Sequence, residues 1–327
     1  MILKTFKALA LAVLAGSALA ATPAAGQAWP QRTITLIVPF AAGGGTDAFA
    51  RPLAQQLDGQ LGQRVIVENR PGAGGTAGAA AAAKAAPDGY TFFVGATHHA
   101  IAPAIYPKLT YDLERDFAPV GMVSRPPHVV VVNPQKVKAG TLAEFVAQAK
   151  ANPDKLTYGS AGVGTTHHLA AELFKLLTGT RITHVPYRGA GPAMTDLIAG
   201  QIDVAFDGLG SSASQIQGGL IKPLAVAAPQ RVKAFPDLPT AAEAGVQGYD
   251  VATWYALFAP KGTPPEIVER MTKELRTALQ APAIREAWER NGSDVPDLTG
   301  KEFAAYVNAE IARWGKVVKD AGVKIDQ

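Results

Sequence analysis

The chain has no cysteine. That excludes disulfides, thiol catalysis and a lipidated N-terminal cysteine, so any fold must rest on ordinary core packing. Aromatic residues are sparse at 7%, and the formal net charge is only +4 on 327 residues. No block of Lys and Arg is present. A nucleic-acid-binding chain usually carries a basic stripe with interleaved aromatics, so that class is set aside. Beyond the first twenty residues no second long apolar run occurs, which argues against a membrane span. There is no G-K-[S/T], no G-x-S-x-G and no H-E-x-x-H, so the common phosphate-loop, hydrolase and zinc-protease motifs are missing.

What is present begins with an export signal. Lys4 and Lys7 precede the apolar stretch 8–20, and Ala18-Leu19-Ala20 is a small-x-small cleavage pattern. A basic start, a short apolar centre and small residues at the end describe a secretory signal peptide. The 13-residue run is short for a membrane anchor. Residues 1–28 are read as the signal, with cleavage near 20–28 and the periplasm as destination. Loss of two lysines takes +4 to +2.

After the signal, β-rich runs alternate with helical patterns. Strands are predicted at 34–38, 65–67, 91–95, 129–132, 156–160, 182–186, 204–207, 223–227 and 253–258. Helices are predicted at 46–61, 77–85, 142–151, 166–178, 192–199, 264–280, 282–291 and 301–321. Such alternation predicts an α/β fold of mainly parallel sheets covered by helices. The chain reads as two lobes, one from 29–124 plus 250–327 and one from 125–249. The two crossings, near 124–127 and 249–254, would be hinges.

Four glycine-rich loops each follow a predicted strand and enter a helix: "PFAAGGGTD" (39–47), "NRPGAGGTAG" (69–78), "GSAGVGTTHH" (159–168) and "PYRGAGPA" (186–193). In α/β sheets such loops lie at the carboxyl ends of strands, where ligands bind. Unpaired amides and the positive dipole end of each helix favour an anion there. Gly72, Gly74 and Ala77 have the spacing of a dinucleotide loop, but "NRP" separates strand from glycine and the match is weak. A single glycine loop is as easily a plain tight turn; two pairs, one pair per lobe, look like the halves of a clamp around a small anion.

Catalytic residues are harder to find. All six histidines lie between His98 and His184, and "THH" occurs twice. Adjacent histidines diverge on a helix or strand, and no Cys or Glu stands at metal spacing, so no metal is expected. Ser160 with His168 and Asp207 could form a nucleophile, base and orienting acid, a periplasmic hydrolase being the alternative reading. Ser160 as a strand-end donor and His168 as a packed residue of a first helical turn is the simpler one. Asp47 and Asp207 each follow an apolar run and could do acid–base work or orient a water or cap a helix; the second role is favoured.

The motifs "VPFAAGGGTDAFAR", "VENRPGAGGTAGA", "PDGYTFFVG", "YDLERDFAPV", "YGSAGVGTTHHLAAELF", "HVPYRGAGPAMTDLIAGQIDVAFD", "LPTAAEAG" and "WYALFAPKGTPPEIVERM" resemble, in this order, the Bug-type extracytoplasmic solute receptors of tripartite tricarboxylate transporters. The resemblance covers roughly 29–318. It implies a two-lobe periplasmic-binding-protein (Venus flytrap) fold with the ligand cleft between lobes. It also implies a monomeric carrier without cofactor that hands a small organic carboxylate to membrane permease subunits and catalyses nothing. Carried onto this chain, the family's site gives Phe40, Gly44, Gly45, Thr46 and Asp47 from the first loop, and Thr97 and His98 after the third strand. The second lobe gives Ser160, Ala161, Gly164 and Thr165, with Asp207 on the far side. In the family these loops hold one carboxylate through backbone amides and waters. Where the family often reads T-H-A-I-N-P, this chain has Thr97-His98-His99-Ala100-Ile101-Ala102-Pro103. Loss of an amide at Ala102 and gain of an imidazole put citrate or malate in doubt and suggest a flatter acid, such as terephthalate.

Overall fold

The computed structural model describes residues 29–321. The predicted signal peptide lies outside the described residues. Residues 32–321 belong to one compact unit.

Two five-stranded sheets carry the fold. The first has the order β2-β1-β3-β10-β4, with β1 Ile34–Val38, β2 Val65–Asn69, β3 Thr91–Ala96, β4 Phe117–Ser124 and β10 Tyr255–Pro260. The second has the order β7-β6-β8-β5-β9, with β5 His128–Val132, β6 Thr157–Ser160, β7 Thr183–Pro186, β8 Val204–Gly208 and β9 Lys222–Ala227. Each sheet and its helices make one lobe.

The sheets are mixed, which corrects the expectation of mainly parallel ones. β1 runs parallel to β2 and β3, but β10 is antiparallel to β3 and β4. In the second sheet β6 runs parallel to β7 and β8, while β5 is antiparallel to β8 and β9. The reversed strands are β5 and β10, which enter straight from the two crossings. A strand that arrives from another lobe needs no crossover helix, so it is free to run either way.

Helices cover both sheets. α1 (Gly45–Leu61), α2 (Thr76–Ala83) and α3 (Thr97–Ile105) connect strands of the first sheet; α4 (Leu142–Ala151), α5 (Thr166–Thr178), α6 (Ala190–Ile198) and α7 (Leu209–Gln217) belong to the second. α8 (Pro265–Gln280), α9 (Pro282–Arg290) and α10 (Gly300–Ala321) return to the first lobe, α8 and α9 against α1, and α10 against α3 and β4. Glu310 of α10, buried, accepts hydrogen bonds from the indoles of Trp254 (3.0 Å) and Trp314 (3.2 Å), tying this helix to the second crossing.

Strand β4 and helices α3 and α7 were absent from the predicted elements. The second sheet is buried on both faces. Val130, Val132, Tyr158, Phe206 and Phe174 pack on one side, and Val129, Val131, Met194, Leu197 and Leu209 on the other. Full burial on both faces explains why "HVVVV" reads as an unbroken apolar run.

Candidate functional site

The four glycine loops meet in two rims. On one, the Ala41 amide donates to the Arg188 carbonyl (3.2 Å). A Cβ on Gly191 would overlap the Ala42 carbonyl oxygen, so only glycine permits this approach. On the other, the Tyr106 hydroxyl donates to the Val163 carbonyl (2.7 Å), and a Cβ on Gly74 would lie 2.7 Å from that same oxygen. The pairing of loops across lobes is thus built into the backbone.

The N-terminus of α1 stands at the first rim, where a Cβ on Gly44 would lie 3.4 Å from the Gly191 nitrogen. Its N-cap, Gly44, brings no side-chain cap. The amides of Gly45, Thr46 and Asp47, in the first turn, have no partner within the helix. Asp47, buried, does not stand ready for a ligand. One carboxylate oxygen accepts from the Gly43 amide (3.0 Å) and from Arg51 Nε (2.8 Å), and the other from Asn69 Nδ2 (3.0 Å). It holds the glycine loop in shape and does not cap the helix, whose N-cap Gly44 lies one residue beyond Gly43. Asn69 Nδ2 also donates to the Phe40 carbonyl (2.9 Å). Phe40 packs across the cleft on Ala161 and Ala190, and its ring meets the His98 ring edge-on at 5.1 Å.

Thr97 and His98 open α3. The Thr97 hydroxyl accepts from the Trp254 amide (2.8 Å), and its own amide donates to the Trp254 carbonyl (3.1 Å). Thr97 therefore clasps the crossing chain. His98 Nδ1 accepts from the Thr166 amide of the other lobe (2.9 Å) and lies 2.7 Å from the Thr166 hydroxyl. Burial, and after it His167, His99 and His128, hold the His98 imidazole well below its usual range. His98 is therefore neutral.

In the second lobe, Ser160 Oγ lies 2.6 Å from His184 Nε2 and accepts from the Gly162 amide (3.1 Å). Thr165 caps its own loop by donating to the Gly162 carbonyl (2.7 Å), and the Gly164 amide donates to His168 Nδ1 (3.2 Å). Asp207 accepts from Ser211 (2.7 Å) and Ser212, and its other oxygen lies 2.9 Å from His167 Nε2. Burial pushes its carboxyl up, but His167 and the two serines outweigh this and hold it below the usual value.

This arrangement breaks up the hydrolase alternative. Ser160 pairs with His184, Asp207 with His167, and His168 stacks on His184 (4.4 Å) with Glu172 at 3.8 Å. Burial brings the His184 imidazole down to about 4, a poor match for a base at neutral pH. Ser160, His168 and Asp207 thus each have a different partner and do not form one relay. Among the described residues no group of three or more His, Asp or Glu is placed to hold a metal ion, and no helix is long and apolar enough to cross a membrane.

Arg51, Asn69, Thr166 and Tyr255 belong to the site's framework and were not singled out by sequence. The hydrogen-bond partners of the first three are 4 to 68 positions away, and Tyr255 packs on Phe49, far earlier in the chain. Only the Asp47–Arg51 spacing of one helical turn was visible in the chain.

Comparison with known proteins places the whole assembly. Residues 49–323 match the tripartite tricarboxylate transporter family receptor. BugT of Bordetella pertussis is 38% identical over 307 residues, covering 93% of this chain and 94% of BugT. The structure of R. palustris Rpa4515 with adipate superposes with a TM-score of 0.87 at 38% identity, over 91% of this chain and all of that one. MatC of Rhodopseudomonas palustris with bound malate gives 0.83 at 37%, over 89% of this chain and all of that one. With these two sheets and the cleft between them, the chain belongs to the Bug-type receptors of the tripartite tricarboxylate transporter family, which are solute-binding proteins and not enzymes.

Proposed function

We propose that this receptor captures a small organic carboxylate between its lobes and delivers it to membrane permease subunits. The observation that carries the reading is the uncapped N-terminus of α1, set between two lobes that already touch along glycine rims. A first helical turn with free amides favours an anion by roughly 0.3–1 kcal/mol per contact, and more when partly buried. None of the proposed ligand residues carries a permanent positive charge. Backbone amides of Gly44, Gly45 and Thr46 would hold one carboxylate, with Phe40, His98, Ala161 and Gly164 shaping the remaining space. Asp47, Thr97, Ser160, Thr165 and Asp207 would hold these loops in place around it.

Relatives with adipate and with malate support a dicarboxylate as the ligand class. The extra imidazole, His99, and the missing amide at Ala102 keep an aromatic acid such as terephthalate in the set. The lobes would divide at 29–124 with 250–327 and at 125–249. The carrier would be a monomer, exported to the periplasm after loss of residues 1–28.

A thermal-shift panel of about a hundred organic acids tests this. A ligand at one hundred times its dissociation constant stabilises the protein by about 2.7 kcal/mol. A hit among carboxylates, lost in Gly44→Val, supports the reading. Absence of any hit, or a hit unaffected by Gly44→Val, counts against it.

A further inference from the structure

We propose that Tyr255 is a ligand-positioning residue of this receptor, its hydroxyl donating to the carboxylate held at the N-terminus of α1. The inference rests on the carboxylate reading above.

Tyr255 opens β10, immediately after the second crossing, and its ring is 1% exposed against Phe49 at 5.4 Å. A phenylalanine would serve that packing equally well. The hydroxyl makes no hydrogen bond to a described residue, yet it is not among the sealed, unpaired polar atoms, as the hydroxyl of Tyr249 is. It therefore keeps a small opening on a residue that is otherwise covered.

The position of that space is given by two glycines. A Cβ on Gly45, the first residue of α1, would overlap the Tyr255 hydroxyl, and a Cβ on Gly208, the N-cap of α7 in the other lobe, would lie 3.8 Å from it. The hydroxyl thus stands between two helix N-termini, one from each lobe, neither with a side-chain cap. The third glycine of the triple-glycine loop is explained by this approach. Asp207, beside Gly208, is not its acceptor: the serines and His167 already surround that carboxylate. Burial, and then Asp207, push the phenol up, so it stays protonated and can only offer a proton or accept one from a donor. Facing helix amides, which are all donors, the group that satisfies both sides is an acceptor with several lone pairs. A carboxylate oxygen meets that requirement.

The test is Tyr255→Phe in the mature chain, titrated by calorimetry with adipate, malate and terephthalate, and melted without ligand. The assignment predicts binding weakened about five- to twentyfold for every acid the wild type binds, because all share the anchored carboxylate. It also predicts an unchanged or slightly higher melting temperature, because no structural hydrogen bond is lost. Unchanged affinity overturns the assignment. So does a loss confined to one of several bound acids, or a ligand-free melting temperature lowered by several degrees, which would make the hydroxyl structural. If the wild type binds none of the three, the variant is titrated with the strongest hit of the hundred-acid panel; if that panel gives no hit, the carboxylate reading fails first and the assignment falls with it, a result seen in the wild type and not in the variant.

Discussion

His98 of the first lobe and Thr166 of the second are joined by a hydrogen bond of 2.9 Å from the Thr166 amide to His98 Nδ1. A backbone amide can only donate, so Nδ1 carries no proton and the ring is the Nε2–H tautomer. His128 of the second lobe makes a similar link, its Nε2 2.7 Å from the Thr253 hydroxyl, whereas His99 and His168 accept from amides of their own lobes. The rings of His167 and His99 stand 5.6 and 6.4 Å from it, and Asp207 lies behind His167.

Closure should therefore depend on pH. With the lobes together, His98 binds its proton well below the ordinary 6.5. Apart, it returns toward that value, so protons favour the open form. As pH falls through about 6.5, the ligand-free protein should open, and its radius of gyration by small-angle scattering should be larger at pH 5 than at pH 8. His98→Asn keeps an acceptor for Thr166 without a titrating proton and should remove the difference. Identical profiles for the two proteins would refute this, with circular dichroism confirming that both stay folded.

Stability should also fall in acid. Burial lowers His99 to about 4 and His128 to about 3. Both are neutral in the folded chain and near 6.5 when unfolded, so protons favour the unfolded state. The stability they leave intact at pH 7 is lost as pH drops below 6.5 toward those folded values. For His99 alone the loss by pH 4 is about 3 kcal/mol. Urea unfolding at pH 7 and pH 4.5 should show it, and His99→Gln should flatten the profile. An equal slope in wild type and variant would remove His99 from the account.

Gly191→Val separates closure from folding. The added side chain meets the Ala42 carbonyl of the other lobe while α6 is otherwise undisturbed. Parting of the rim relieves the overlap, so ligand-free stability should fall by no more than about 1 kcal/mol, the worth of the rim hydrogen bond between Ala41 and Arg188. Affinity for any bound acid should fall at least tenfold. Tight binding in this variant would show that the rim contact is dispensable.

Asp47→Ala should weaken both properties. It strips the Gly43 amide and Asn69 of a buried acceptor, costing about 1–3 kcal/mol. The ion pair with Arg51 adds little, since that arginine is half exposed. Asp47→Asn, which retains an acceptor, should recover most of the stability. Full stability in Asp47→Ala would contradict the loop-holding role.

The elements most legible from sequence were those with local causes. β1, α4 and α5 have the predicted limits, because strand alternation, a Thr141 cap and a helical period are written in neighbouring residues. β4 was hidden because Pro119 and Gly121 speak against a strand. Only its place at the sheet edge beside β10 makes it one. α3 holds Pro103 and α7 is rich in serine, so neither shows a strong helical signal. The site was legible as loops, since glycines mark close backbone approach. Its pairings were not: which histidine meets Ser160, or whose hydroxyl fills the space at Gly45, depends on contacts made only after both sheets have formed.

The central claim is that the cleft recognises a carboxylate's charge and lone pairs. Calorimetric titration of the mature protein with the acid that stabilises it most, and then with that acid's methyl ester, tests this most directly. The account predicts clear binding of the acid and at least a hundredfold weaker binding of the fully esterified compound. Equal affinity for the two, or no binding of any carboxylate, would contradict it.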